Sequence, residues 1–202
     1  MKKITKNLFL LSFFGISLFA SSEKVDFSIS EKYQDLSSEI FKNISSHHYT
    51  REIDKESFND LYIDALLEEL DGNKNLFLSY EIKSFKRKSS NYKKNRENFD
   101  INLAYEILNT YFNRVIEISE YQIKLAKKDS FDLSIDEGID IFYDDNEYAS
   151  TMLELKERWR KTTKNDFIVS VLAKDDEDEI ISNLINRYER RIKRVLQRKD
   201  ED

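Results

Sequence analysis

Residues 100–126, DINLAYEILNTYFNRVIEISEYQIKLA, decide the fold class. Leu103, Ala104, Ile107, Leu108, Tyr111, Val115, Ile118 and Leu125 recur at steps of three and four, the spacing of one helical face. Asp100 stands where a side-chain oxygen can cap the first turn. The stretch contains neither proline nor glycine, so nothing in it interrupts the ladder of backbone bonds. As one helix over 101–126 it is about 39 Å long at 1.5 Å per residue. The whole 202-residue chain has no proline and three glycines. A sequence this poor in breakers favours long helices throughout.

Upstream, Ser28 or Ser30 can cap a helix whose stripe is Tyr33, Leu36, Ile40, Phe41 and Ile44. Asp54 can cap a second, with Phe58, Leu61, Tyr62, Ala65 and Leu70 on its face. That helix stops at Asp71-Gly72, a C-terminal glycine signal. Leu76-Phe77-Leu78 is a short apolar link, and Ser79 can cap a third helix carrying Ile82 and Phe85. Residues 86–98, KRKSSNYKKNREN, read as a helix end and a solvated loop. Downstream, Phe131-Asp132-Leu133 breaks out of the long helix, and an acidic segment runs to Ser150. Thr151 and Glu154 fit a capping box for a helix bearing Leu155, Trp159, Phe167 and Val171. The last helix presents Ile180, Ile181, Leu184, Ile185, Tyr188, Ile192, Val195 and Leu196. With no convincing alternating stretch, the expectation is an all-α domain of about six helices around one core, with Trp159 buried in it.

The N-terminus has the pattern of a secretory signal. Lys2, Lys3 and Lys6 precede the thirteen-residue apolar run LFLLSFFGISLFA, Leu8 to Ala20. Ala20-Ser21-Ser22 supplies small residues for cleavage. The run is short of the roughly 20 apolar residues of a spanning helix. Residues 1–22 are therefore expected to leave, with 23–202 as a periplasmic domain. An uncleaved signal would instead leave the protein on the cytoplasmic membrane. No cysteine follows the apolar run, which excludes a lipoprotein anchor.

The chain carries 33 basic and 39 acidic residues, a net charge of −6. Losing the three leader lysines and no acid makes it −9. Such a charge repels nucleic acid and anionic membrane alike, so neither is an expected partner. The complete lack of cysteine leaves the core, not disulfides, to hold the domain.

No catalytic, cofactor-binding or metal-binding residues are assigned. The two histidines, His47 and His48, are adjacent and do not share a helix face, so they make no metal pair. Asp136 to Glu147 has carboxylates at calcium-loop spacing, but Gly138 lacks an oxygen where one is needed and Ile141 replaces the turn glycine. A solvated acidic loop is the reading. Two glycines beyond the leader cannot build a Gly-rich phosphate loop. No serine lies in a nucleophile elbow. Arg187, Arg190, Arg191, Lys193, Arg194, Arg198 and Lys199 read as a solvated face suited to the negative end of a helix and able to pair with the acids Asp175 to Glu179. The alternative is a patch for an anionic partner.

Several short segments, in order, resemble the N-terminal region of bacterial tail-specific (C-terminal-processing) proteases. They are His48-Tyr49; LDGNKNLFL at 70–78, with Ile82 and Phe85; and FNRV at 112–115, with Tyr121. FDLSIDE at 131–137 follows, then ELKERWRK at 154–161 with Lys164-Asn165-Asp166, and Arg187-Tyr188-Glu189 with Arg194 and Gln197. Gly72 stands where the family has proline, and Tyr80-Glu81 where it has a serine/aspartate pair. The resemblance spans about residues 45–199. It implies a helical domain that precedes a PDZ domain and a protease domain with a Ser-Lys dyad. It further implies periplasmic substrates with apolar C-termini and, in some species, a lipoprotein adaptor. The dyad belongs to the downstream domain, so no catalytic residue carries over. The resemblance makes this chain a non-catalytic scaffold of such a protease, present as a fragment or short form. The alternative is a free-standing exported interaction protein.

Overall fold

The structure, a computed structural model, describes residues 24–47, 55–92, 100–127, 131–139, 147–173 and 176–201. The leader, His48, Asp54 and the centre of the acidic segment lie outside the described residues. Among the described residues there are six helices: α1 (Glu31–His47), α2 (Lys55–Asp71), α3 (Ser79–Tyr92), α4 (Ile101–Lys127), α5 (Met152–Leu172) and α6 (Glu177–Glu201). Among the described residues there is no strand, only a single bridge between Leu78 and Ala149. The all-α reading holds.

The 100–126 stretch became the axis of the molecule. α4 touches α2, α3, α5 and α6, and packs most extensively on α6. Asp100 does cap it, its carboxylate accepting from the Leu103 amide at 3.1 Å. Apolar packing falls into four clusters strung along α4, not one core. Leu103 and Ile107 join Ile63 and Leu67 of α2, Phe77, and Ile82 and Phe85 of α3. Phe112, Val115 and Ile116 join Val195 of α6 with Val25 and Phe27. Ile118 meets Leu78, Ala149 and Leu155. Ala126 meets Phe167, Ile180, Leu184 and Tyr188. Trp159 is only half-buried, at the edge of the Ile118 cluster.

Several local expectations need correction. On α2 the core face is Ile63 and Leu67; Leu61 is 64% exposed and Ala65 faces outward. Tyr62 and Leu70 of the expected stripe do pack, partly buried, against that cluster, while Ile63 and Leu67 take the buried places expected of Leu61 and Ala65. On α1, Tyr33, Leu36 and Ile40 are exposed, and no extensive contact with another helix is formed among the described residues. On α5 and α6, Val171 and Leu196 are exposed. The helix end expected within 86–98 extends to Tyr92, where Ser89 is buried and donates to Asp60 at 2.7 Å. Leu78, not Ser79, holds the cap position: its carbonyl accepts from Glu81 and Ile82 while Glu81 reaches back to its amide at 2.7 Å.

The turn after α2 is built by its aspartate. The Asp71 carboxylate accepts from the amides of Asn75 (2.7 Å), Leu76 (2.9 Å) and Phe77 (2.8 Å). Gly72 does not adopt the left-handed conformation; Lys74 does, at φ 53°. Gly72 is instead a close approach, since a Cβ there would lie 3.0 Å from the Glu68 carbonyl oxygen. Phe77 and Leu78 are thereby delivered into the core.

Candidate functional site

α5 holds two loops at once. From its first half, Arg158 donates to the Lys74 carbonyl (3.1 Å) and Trp159 Nε1 to the Asn75 carbonyl (2.5 Å), which fixes the turn that Asp71 organises. From the next residue and one turn beyond it, Arg160 and Lys164 grip Glu137. Lys164 Nζ lies 2.7 Å from the Glu137 carboxylate and 3.0 Å from the Ile135 carbonyl, and Arg160 also bonds Glu137. Lys164 is buried, so its ammonium depends on these partners. The hydrogen bonds from Arg160 and then Lys164 pull the Glu137 carboxyl from its ordinary 4.5 to about 2. Glu157 and Glu137 in turn raise the Arg160 guanidinium.

A second set of ties joins α5 and α4 to α6. Asp166 pairs with Arg187 and accepts from the Tyr188 hydroxyl at 3.4 Å. Gln122 donates to Thr163 (3.0 Å) and accepts from Arg191 (3.4 Å). The Arg191 guanidinium lies 5.8 Å from the Trp159 ring centre and 5.7 Å from that of Tyr188. Burial pushes its pKa down. The cationic face of α6 is thus not simply solvated. Arg187 is paired, Arg191 packs on aromatic rings, and Arg198 sits 5.7 Å from the Phe112 ring centre. Asp176 caps α6 instead of pairing with those cations, and Arg190 lies about 21 Å further along the helix. Arg191, Arg194 and Arg198 rim a cavity of about 500 Å³ whose apolar floor includes Val115 and Ile118.

A third tie was not foreseen. Residues 24–30 run extended across α4, with Val25 and Phe27 buried between exposed Lys24, Asp26 and Ser28. The Val25 amide donates to Asn113 Oδ1 (2.8 Å), and Asn113 Nδ2 donates back to the Val25 carbonyl (2.7 Å). Asn109 treats Phe27 likewise, at 2.7 and 3.1 Å. The Phe27 and Phe112 ring centres are 4.8 Å apart. Two signals could have found this tie: the alternation Val25-x-Phe27, and a pair of asparagines four residues apart on a face beside the core.

His47 ends α1, and the centre of the calcium-like spacing is outside the described residues. Within them no group of three or more histidine or acidic side chains could hold a metal. Several segments that carried the resemblance come together. LDGNKNLFL meets ELKERWRK, which meets FDLSIDE, and Asp166 meets Arg187-Tyr188. Residues 40–202 match the family described as the tail specific protease N-terminal domain. The chain belongs to that family. The tail-specific protease of Haemophilus influenzae is 26% identical over 176 residues, covering 87% of this chain and 25% of the relative. The chain therefore spans a quarter of that relative's length.

Family membership gives the departures their context. Glu81, where the resemblance expects aspartate, bonds Arg114 of the FNRV segment at 2.7 Å with both side chains nearly buried. Gly72, in place of proline, occupies a turn that needs no left-handed residue at that position.

Proposed function

We propose that this chain is the non-catalytic N-terminal domain of an exported C-terminal-processing serine protease, a scaffold that positions partners and substrates. The supporting observation is the family match over residues 40–202. The motif side chains Arg158, Trp159, Arg160 and Lys164 tie loops together, as a scaffold requires. The partners implied are PDZ and Ser-Lys protease domains, protein substrates with apolar C-termini and a lipoprotein adaptor; the net negative charge disfavours nucleic acid. The lysine-rich leader supports a periplasmic location. No described helix is long and apolar enough to cross a membrane.

The test uses residues 24–202 and a peptide with an apolar C-terminus. The chain alone should leave the peptide intact. Added to a tail-specific protease body lacking its own N-terminal domain, it should bind that body and speed cleavage. Turnover by the chain alone would overturn the non-catalytic reading. Failure to bind the body would overturn the scaffold reading and favour a free-standing interaction protein.

A further inference from the structure

We infer that the α4 surface at Asn109 and Asn113 is a receptor for an extended polypeptide with apolar residues two apart, and that residues 24–30 occupy it in cis. The inference stands on this groove and does not depend on the protease reading.

The geometry matches helix to strand. Residues four apart on α4 are separated by about 6 Å along its axis. Residues two apart on an extended chain are separated by about 6.6 Å. One amide side chain can therefore serve each alternate residue of a strand laid along the helix. Asn113 serves Val25 and Asn109 serves Phe27, so the segment runs antiparallel to α4. Each asparagine both accepts from the amide and donates to the carbonyl of one residue. These are contacts to main chain, which every polypeptide carries. Sequence enters through the two sockets, where Val25 is 2% and Phe27 7% exposed, and through Asp26, whose carboxylate accepts from Asn109 Nδ2 at 3.1 Å.

Part of the receptor is fixed within α4 itself. Asn113 Nδ2 also donates to the Asn109 carbonyl at 2.7 Å, a bond within α4 that holds the side chain in place. A preset site loses less freedom when it binds. The occupant is a seven-residue segment with no strand ladder beside it, anchored at Val25 and Phe27 by the two asparagines. Beside it runs an open cavity of about 1080 Å³, lined by Phe27, Tyr105, Asn109, Asn113 and Arg114 among others. An incoming chain can engage there before the segment leaves.

The probe is a fluorescein-labelled peptide of residues 23–30, EKVDFSIS, read by anisotropy. A chain of residues 24–202 with Val25→Asp and Phe27→Asp should release its own segment and bind the peptide at least tenfold tighter than the unaltered chain. An unrelated peptide sharing only Val-Asp-Phe should bind as well. The same peptide N-methylated at those two amides should not, and neither should the probe bind once Asn109→Ala and Asn113→Ala are added at unchanged helix content. In the unaltered chain, excess peptide should speed hydrogen exchange at Val25 and Phe27, a readout needing no variant. Absence of saturable binding together with unchanged exchange would overturn the proposal and leave the segment a purely structural strap. Binding that survives N-methylation or the asparagine substitutions would overturn it too.

Discussion

Glu81 shows how much one side chain carries. It closes the first turn of α3 through the Leu78 amide and neutralises Arg114, whose other contacts are Met152 Sδ at 3.3 Å and a longer pairing with Glu117 at 3.9 Å. Removing one partner of a buried pair strands the other charge and costs about 3–5 kcal/mol. Glu81→Ala should lower unfolding stability by about that amount in urea titration, since it also strips the cap. Combining it with Arg114→Met should cost clearly less than the sum of the two single changes, because no charge is then left buried alone. Additive losses would show that the pair is not coupled.

At the scale of elements, α5 is the clamp and the 131–139 segment its load. Glu137 is the link, and its carboxyl is depressed to about 2 by Arg160 and Lys164. A carboxyl depressed in the folded state stabilises the fold above its unfolded value, and that contribution fades as pH falls from about 4.5 towards 2. Acid titration of the intrinsic signal of Trp159 should therefore show loss of stability across that window. Glu137→Gln should flatten this limb while lowering stability at neutral pH. An unchanged acid limb in the variant would remove Glu137 from the account. Much of this layer was legible in sequence: helix order, Asp100 as a cap, and Thr151 as the α5 cap, whose hydroxyl accepts from the Glu154 amide at 3.2 Å. Glu154 itself was placed one residue off, for it bonds the Ser150 amide at 2.8 Å. The choice between Leu61 and Ile63 on α2 was not legible, since the two are equally apolar and only the position of α3 and α4 distinguishes them.

For the whole molecule, stability should be graded outward from α4. Helices packed on several neighbours open only with global unfolding, whereas elements with few buried contacts open locally. Native-state hydrogen exchange should find the slowest amides at the middle of α4, around Ile107 to Ile118, and the fastest helical amides in α1. Protection in α1 equal to that in α4 would mean that Tyr33, Leu36 and Ile40 are covered in solution.

What the sequence determined by itself was helicity, helix order and family, because breakers, caps and apolar spacing act locally and the motif segments keep their order along the chain. The tertiary structure decided which faces are buried and what the motifs are for. Arg158 on Lys74, Lys164 on Glu137 and Asn113 on Val25 join residues 84, 27 and 88 positions apart. Spacing along a chain can flag one side of such pairs but does not name the partner. They exist because α4 brings distant segments to one axis, where each buried polar group must find a partner.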